Sequence, residues 1–146
     1  MIDIEAFEKC LPSGDTQDPV LKEKLEKFRA IFYDYDVITQ RWSWGWCFYI
    51  FISHSGIVRL NFPFNQPDVA VISDLVVEKT SRRIGIGGEL MDICEKTAIL
   101  MEARALGIWA DPKDWPIAWY QRLGFQRWYT PMTEDTYLEK PLKLQK

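Results

Sequence analysis

A strand, a glycine-rich turn and a helix in direct succession constrain the fold of this chain more than any other segment does. Residues 69–77 are rich in Val and Ile, which is typical of a buried strand. Residues 82–88 read Arg-Arg-Ile-Gly-Ile-Gly-Gly, and residues 90–105 carry apolar side chains at helical spacing. Glycines before a helix let a ligand approach its free N–H groups and positive dipole end. The segment therefore predicts an anion site, most naturally for phosphate, although the alternative is that the glycines only make the bend.

The first forty residues predict helices. Residues 3–10 suit a short helix, and a second helix is predicted to begin with Asp18 as N-cap and Pro19 at the first helical position. The sequence offers no convincing strand before residue 41. We therefore expect residues 1–40 to form a variable helical region.

Tryptophans mark the first predicted strand. Trp42, Trp44 and Trp46 alternate with small or polar residues, which predicts one strand over residues 42–52 with the three indole rings on a single face. Residues 53–56 read Ser-His-Ser-Gly and predict a hairpin turn into a second strand.

The C-terminal third alternates strands and helices. Gly107 is predicted to end the long helix as its C′ glycine, before a short strand at 108–110. A short helix at 115–123 and two strands within 125–142 are expected to follow. The order predicts a mixed α/β or α+β sheet domain, with residues 1–146 forming one domain.

Composition excludes several classes of protein. The charge sum is 18 basic minus 21 acidic residues, or −3, and residues 1–40 hold nine acids against five bases, so a nucleic-acid partner is not favoured. No apolar run approaches the roughly 20 residues that span a bilayer, and no secretory leader is evident, which predicts a cytoplasmic protein with no membrane partner. Three widely separated cysteines and a single histidine predict no metal site.

Three motifs in order carry a family resemblance. The first reads Leu75-x-Val77-x4-Arg82-x2-Gly85-x-Gly87, and about 33 residues further on stands Ala-Trp-Tyr-Gln-Arg-Leu-Gly-Phe at 118–125. A closing Tyr-Leu-Glu-Lys-Pro-Leu follows at 137–142. Together they resemble the signatures of the GCN5-related N-acetyltransferases (GNAT) over roughly residues 44–142. The resemblance implies a mixed, mainly antiparallel sheet flanked by helices and an acetyl-CoA-dependent N-acetyltransferase.

The resemblance implies where acetyl-CoA, the co-substrate, would bind. The pyrophosphate would lie on the loop amides, and the pantetheine arm would lie along the strand as an added strand does. An amide near the end of that strand would donate to the thioester carbonyl in an oxyanion-hole role. The implied cofactor-binding residues are Leu75, Val76, Val77, Arg82, Arg83, Ile84, Gly85, Ile86, Gly87, Gly88 and Asp114. Asp114 replaces an asparagine that many relatives have, which weakens that one assignment.

Catalysis requires a base and an acid. Tyr120 stands where the family often has the tyrosine that meets the leaving sulfur, although it would otherwise be a packed aromatic residue. Asp74 and Glu78 flank the strand end on one face, and either could relay a proton from the amine through water. A solvent-facing role is the alternative for both carboxylates.

The acceptor is left open by these patterns. The resemblance makes residues 1–40 part of the acceptor side, and their acidity favours a cationic amine. The tryptophans suit either core packing or an aromatic wall for an organic cation. A non-catalytic CoA-binding module and a toxin-like acetyltransferase of aminoacyl-tRNA are alternative functions. A homodimer is the ordinary expectation for such a domain.

Overall fold

The computed structural model describes residues 4–110, 117–127 and 136–143. The helices are α1 (Ile4–Lys9), α2 (Pro19–Phe28), α3 (Ile86–Leu100) and α4 (Ile117–Arg122). The strands are β1 (Asp36–Trp42), β2 (Gly45–Ile52), β3 (Gly56–Pro63), β4 (Val69–Val77), β5 (Ala105–Ala110), β6 (Gln126–Arg127) and β7 (Thr136–Pro141). Short 3-10 turns at Arg29–Phe32 and Ser81–Ile84 follow α2 and precede α3.

The strands of the described residues form one sheet in the order β1-β2-β3-β4-β5-β7-β6. The first four strands form an antiparallel meander. β4 and β5 are parallel because α3 crosses over between them, and β7 then pairs antiparallel with β5. The predicted mixed, mainly antiparallel sheet flanked by helices is confirmed.

The two faces of the sheet carry different cores. Side chains of α2, α3 and α4 join one large apolar cluster with alternate residues of every strand from β2 to β5. α1 covers the opposite face, where Ile4 and Phe7 pack on a smaller cluster that includes Tyr49, Ile57 and Val76. We call these the α3 face and the α1 face. No helix among the described residues is long and apolar enough to cross a membrane.

The prediction of a purely helical first forty residues was wrong. β1 begins at Asp36, and its register with β2 places Trp42 opposite Gly45, so Ser43 and Trp44 form the turn between two strands. The predicted single strand with three tryptophans on one face therefore does not exist. The alternation of Trp with small residues continued through the turn and hid it, since a two-residue hairpin turn preserves the period of two.

The predicted end of the long helix was also wrong. α3 ends at Leu100, and Glu102 takes the left-handed conformation with φ 66° that was expected of a glycine. Gly107 instead lies inside β5, where the Tyr137 side chain packs across its backbone on the α1 face. A glycine is needed at position 107 because any side chain there would clash with the Tyr137 ring.

Candidate functional site

A cleft opens in the sheet where β4 and β5 diverge. The two strands pair only from Val69 opposite Ala105 to Ile72 opposite Ile108. β4 continues to Val77 and stays paired with β3 along its other edge. Beyond Ile72, therefore, the β5 side of β4 has no strand partner among the described residues, and backbone groups on that side can bind a ligand.

The direction of the strand amides follows from one hydrogen bond. Glu78 N–H, just after the strand, donates to Ser55 O at 2.8 Å on the β3 side. Successive residues of a strand direct their N–H groups to opposite edges. The amides of Val77 and Leu75 therefore point into the cleft.

A β-bulge lies at the start of the cleft. Arg59 pairs with Asp74 whereas Leu60 pairs with Ile72, so Ser73 is an extra residue of β4. Asn61 bridges this irregularity, since its Nδ2 donates to Val71 O at 3.0 Å and to Ser73 Oγ at 2.9 Å.

The glycine-rich turn builds the N-terminus of α3 beside the open end of β4. Gly85 takes φ 84° and is the N-cap residue, and no side chain caps the helix. A Cβ built on Gly85 or Gly88 meets no heavy atom within 4 Å, so the space in front of both glycines is open. Free helix amides with open space before them fit the pyrophosphate of coenzyme A.

Arg82 links the turn to the strand. Its Nε donates to Val77 O at 3.1 Å, which holds the guanidinium at the mouth of the cleft. Ile84 projects outward and is 73% exposed, whereas Ile86 and Gly87 are buried against the sheet. The predicted cofactor residues from Leu75 to Gly88 thus lie along one path that follows the open strand edge into the helix start. Only the backbone of Arg83 belongs to the described part, and Asp114 lies outside it.

Glu78 is occupied by the turn itself. Its Oε2 accepts hydrogen bonds from Thr80 N at 2.9 Å, from Thr80 Oγ1, and from Ser81 N at 3.3 Å. These bonds, led by the one from the Thr80 hydroxyl, hold the pKa of Glu78 below its ordinary value. A carboxylate with a lowered pKa is a weaker proton acceptor, so its geometry suits capping better than base catalysis.

Asp74 lies on the α1 face at the bulge. Its Oδ2 is 3.7 Å from Arg59 Nη1 and 3.5 Å from Ser73 Oγ. The Asp74 and Arg59 side chains are each 34% exposed, so this pair can be reached from solvent. The Asp74 carboxylate is paired with Arg59 beside the bulge, whereas that of Glu78 accepts three hydrogen bonds within its own turn. A base role for Asp74 stays a prediction.

Tyr120 is buried on the α3 side of the cleft. It is 3% exposed, and its ring packs edge-on against Trp119 at 5.1 Å and Phe125 at 6.1 Å between centroids. α4 carries Tyr120 back toward the core after β5 ends at Ala110. Its assignment as the acid that meets the sulfur stays a prediction.

Arg59 and Asn61 were missed by sequence reasoning. Both lie on β3 in an otherwise apolar strand, and Asn61 is 6% exposed. The signal was present, because a polar side chain inside a run of Val, Leu and Phe must find partners when it is buried. What the sequence did not contain was the bulge that supplies those partners. In the described part of the chain, no cluster of three or more His, Cys, Asp or Glu side chains is arranged to bind a metal ion.

Comparison with known proteins matches this geometry. The sequence profile described as "Acetyltransferase (GNAT) domain" matches residues 45–127, more than half of the chain. No curated protein sequence gives a significant match. Solved structures share the fold at low identity. A GNAT-family acetyltransferase from Staphylococcus aureus is 16% identical with a TM-score of 0.56, over 96% of this chain and 87% of that one.

Two further solved structures share the fold. A Bacillus subtilis acetyltransferase in complex with CoA is 16% identical with a TM-score of 0.54, over 87% of this chain and 85% of that one. Nourseothricin acetyltransferase is 19% identical with a TM-score of 0.55, over 69% and 67% of the two chains. These similarities show the fold alone.

The chain belongs to the GNAT acetyltransferase family. Acyl-CoA-dependent acetyl transfer is the activity that membership implies, and the open strand edge and the uncapped glycine turn are the parts of this chain that fit the coenzyme.

Proposed function

We propose that this protein is an N-acetyltransferase in which a primary amine attacks acetyl-CoA directly. The observation that carries the proposal is the edge of β4 from Ser73 to Val77. Its β5 side has no strand partner among the described residues, and the turn at 78–85 leads from it to the uncapped N-terminus of α3. A coenzyme laid on this edge would have its phosphates at the helix and its thioester near the bulge.

The amides of Val77 and Leu75 both point into the cleft, and that of Leu75, nearer the bulge, is the proposed oxyanion donor. Arg82 fixes the carbonyl of Val77 at the helix end of the same edge. A fixed N–H aimed at the oxygen where charge develops lowers the barrier, because it needs no reorganisation during the reaction.

The acceptor would approach on the α1 face. Trp109 lies there, 47% exposed, with its ring 5.1 Å from that of Tyr137. An exposed indole face and the Asp74 carboxylate at the bulge together favour an amine that arrives as a cation. Nourseothricin acetyltransferase shares the fold, and its name identifies a small-molecule acceptor for that protein.

The proposed step balances without a metal or redox partner. The amine nitrogen forms the new C–N bond to the acetyl carbon, and the C–S bond breaks to release the thiolate. Asp74, directly or through water, would take the first proton from the ammonium and pass it to solvent, so that the neutral amine can attack. The nitrogen would lose its second proton to solvent after the attack, while Tyr120 would protonate the sulfur and regain its proton from solvent. The products are an N-acetyl amide, CoA thiol and one released proton.

Release of CoA thiol tests the proposal. We expect turnover of acetyl-CoA with at least one member of a panel of primary amines, such as spermidine, glucosamine and L-lysine. Failure of every amine, by a folded protein that binds CoA, would leave the non-catalytic CoA-binding module as the better account. A toxin-like activity on aminoacyl-tRNA would instead appear as inhibition of translation by the wild type.

The choice of base is tested by a pair of variants. Asp74→Asn should lower kcat roughly a hundredfold or more. Glu78→Gln should leave kcat nearly unchanged, because the Glu78 carboxylate is engaged with Thr80 and Ser81. A loss of kcat in Glu78→Gln alone would reverse the assignment.

A further inference from the structure

A cavity of about 490 Å³ lies away from the acetyl-transfer cleft. It is enclosed by the end of α2, the 3-10 turn after it and the edge strand β1. β2 and β3 lie between β1 and β4 in the sheet. At the usual strand spacing, β1 and β4 are therefore about 14 Å apart. The cavity volume falls within the range of small-molecule sites, roughly 300–1,000 Å³. Its lining includes neither Asp74 nor any residue of the proposed coenzyme path.

The floor of the cavity is apolar and its rim is aromatic. Leu25, Phe32 and Val37 line it together with the two tyrosines Tyr33 and Tyr35. Phe32 belongs to the core of the α3 face, whereas Tyr33 is 91% exposed. The lining therefore suits a ligand with an apolar side chain and a polar end directed to solvent.

Two opposite charges line the same cavity without pairing. Arg29 and Asp36 both line it. In the part of the chain that the structure describes, neither side chain forms an ion pair or a side-chain hydrogen bond. Asp15 differs, because its Oδ1 already accepts from Thr39 N at 2.9 Å. Both residues are exposed, and a ligand that carries both charges would pair with Arg29 and Asp36 in place of water.

Tyr35 connects the cavity to the coenzyme turn. Its hydroxyl donates to Glu89 O at 3.3 Å, in the first turn of α3. A ligand that repositions Tyr35 therefore acts on the helix whose N-terminal amides face the coenzyme phosphates. Coupling through such a contact changes both affinities by the same factor.

We propose that this cavity is an effector site that binds a free α-amino acid with an apolar side chain. The carboxylate meets Arg29, the ammonium meets Asp36, and the side chain lies on Leu25, Phe32 and Val37. Binding there changes the affinity for CoA through Tyr35 and α3. The site does not depend on which amine the enzyme acetylates.

The first test uses matched ligands on the intact wild-type chain. Calorimetric titration with L-phenylalanine is compared with L-phenylalanine amide, which lacks the carboxylate, and with 3-phenylpropionate, which lacks the ammonium. We expect each analogue to bind roughly ten- to a hundredfold more weakly, as the loss of a charged hydrogen-bond partner implies. Equal affinity for all three would mean an apolar slot only and would overturn the proposal, as would the absence of phenylalanine binding at millimolar concentration.

The location is tested by amide chemical shifts on titration with L-phenylalanine. The proposal expects shifts at Val37 and Thr39 in β1. Shifts confined to Val76 and Val77 would place the amino acid in the acetyl-transfer cleft and would overturn the effector site. The variants Arg29→Gln and Asp36→Asn should each weaken binding roughly tenfold or more, whereas Lys27→Gln on the exposed side of α2 should not.

The coupling is tested by CoA titrations with and without saturating L-phenylalanine. We expect the CoA dissociation constant to change about fivefold or more. Tyr35→Phe removes only the hydroxyl bonded to Glu89 and should reduce that factor, with Tyr33→Phe as the matched comparison. Phenylalanine binding with no change in CoA affinity would overturn the effector role. If the wild type did not bind CoA even without L-phenylalanine, the result would count against the proposed function instead.

Discussion

The two halves of β4 differ in how their edges are paired. From Val69 to Ile72 β4 is paired with β5, and Val71 and Ile72 are paired with β3 as well. From Asp74 to Val77 the pairing among the described residues is with β3 alone. The bulge residue Ser73 lies at the boundary between the two halves, and Asn61 donates a hydrogen bond to its hydroxyl. The sheet obtains a ligand site by ending the β4–β5 ladder early, while β4 stays paired with β3 up to Val77.

The paired half should carry the larger share of stability. Ile72 is fully buried, so Ile72→Ala should cost about 2–5 kcal/mol in unfolding free energy while the folded fraction still binds CoA. Leu75→Ala in the open half should cost less stability and should weaken CoA binding more. Urea unfolding and calorimetry on both variants measure the contrast. Equal stability losses would mean that the two halves are structurally equivalent.

Loss of the proposed acid, Tyr120, should lower turnover without changing stability. Tyr120→Phe keeps the buried ring that packs on Trp119 and Phe125, so folding and CoA affinity should change little. Turnover should fall roughly a hundredfold if the phenol protonates the leaving thiolate. Steady-state kinetics beside a CoA titration separates the two effects. Unchanged turnover would return Tyr120 to a packing role.

A charge in the glycine turn should block the coenzyme without unfolding the protein. Gly88→Glu introduces a side chain whose Cβ meets no heavy atom within 4 Å, so the fold should accept it. We expect CoA affinity to fall about tenfold or more, because a carboxylate would face the phosphates at the helix N-terminus. Gly14→Glu, in an exposed loop with equally open space, is the matched control. An unchanged affinity in Gly88→Glu would refute the phosphate-site assignment.

The smallest expected effect concerns Glu78, where the open half ends. Its pKa is lowered in the folded protein, so its stabilisation is present above the ordinary value of 4.5 and is lost as the pH falls through the lowered value. Glu78→Gln should therefore melt slightly lower than wild type at neutral pH. The gap should close in acid below that range. Thermal unfolding at both pH values measures it, and a gap that widens in acid would contradict the capping role.

The local sequence pattern predicted an element correctly where its signal came from neighbouring residues of one kind or from a capping residue. The Val- and Ile-rich run predicted β4 with its observed ends at Val69 and Val77, and Asp18 was found as the N-cap of α2, accepting from Val20 N. These features depend on neighbours along the chain. The turn at Ser43 and Trp44 was missed, because an alternating pattern does not reveal a two-residue reversal.

The candidate site was only partly accessible to the same reasoning. The motif placed the glycine turn and the strand end correctly relative to one another, since both lie in one continuous segment. Arg59 and Asn61 come from β3, and they meet Asp74 and Ser73 respectively only through pairing of strands. The choice between Asp74 and Glu78 needed the contacts of both carboxylates. Such contacts join residues distant in sequence, which periodicity does not encode.

The sequence by itself determined β4, the start of α2, the glycine turn and the family, because each is encoded in a contiguous run of residues. The tertiary structure decided where β5 leaves β4, that Ser73 is the extra residue of the bulge, and that a cavity separates β1 from α2. Those outcomes depend on packing between both faces of the sheet and its helices. They are set by the balance of strand pairing against side-chain volume over the whole domain, which no local segment contains.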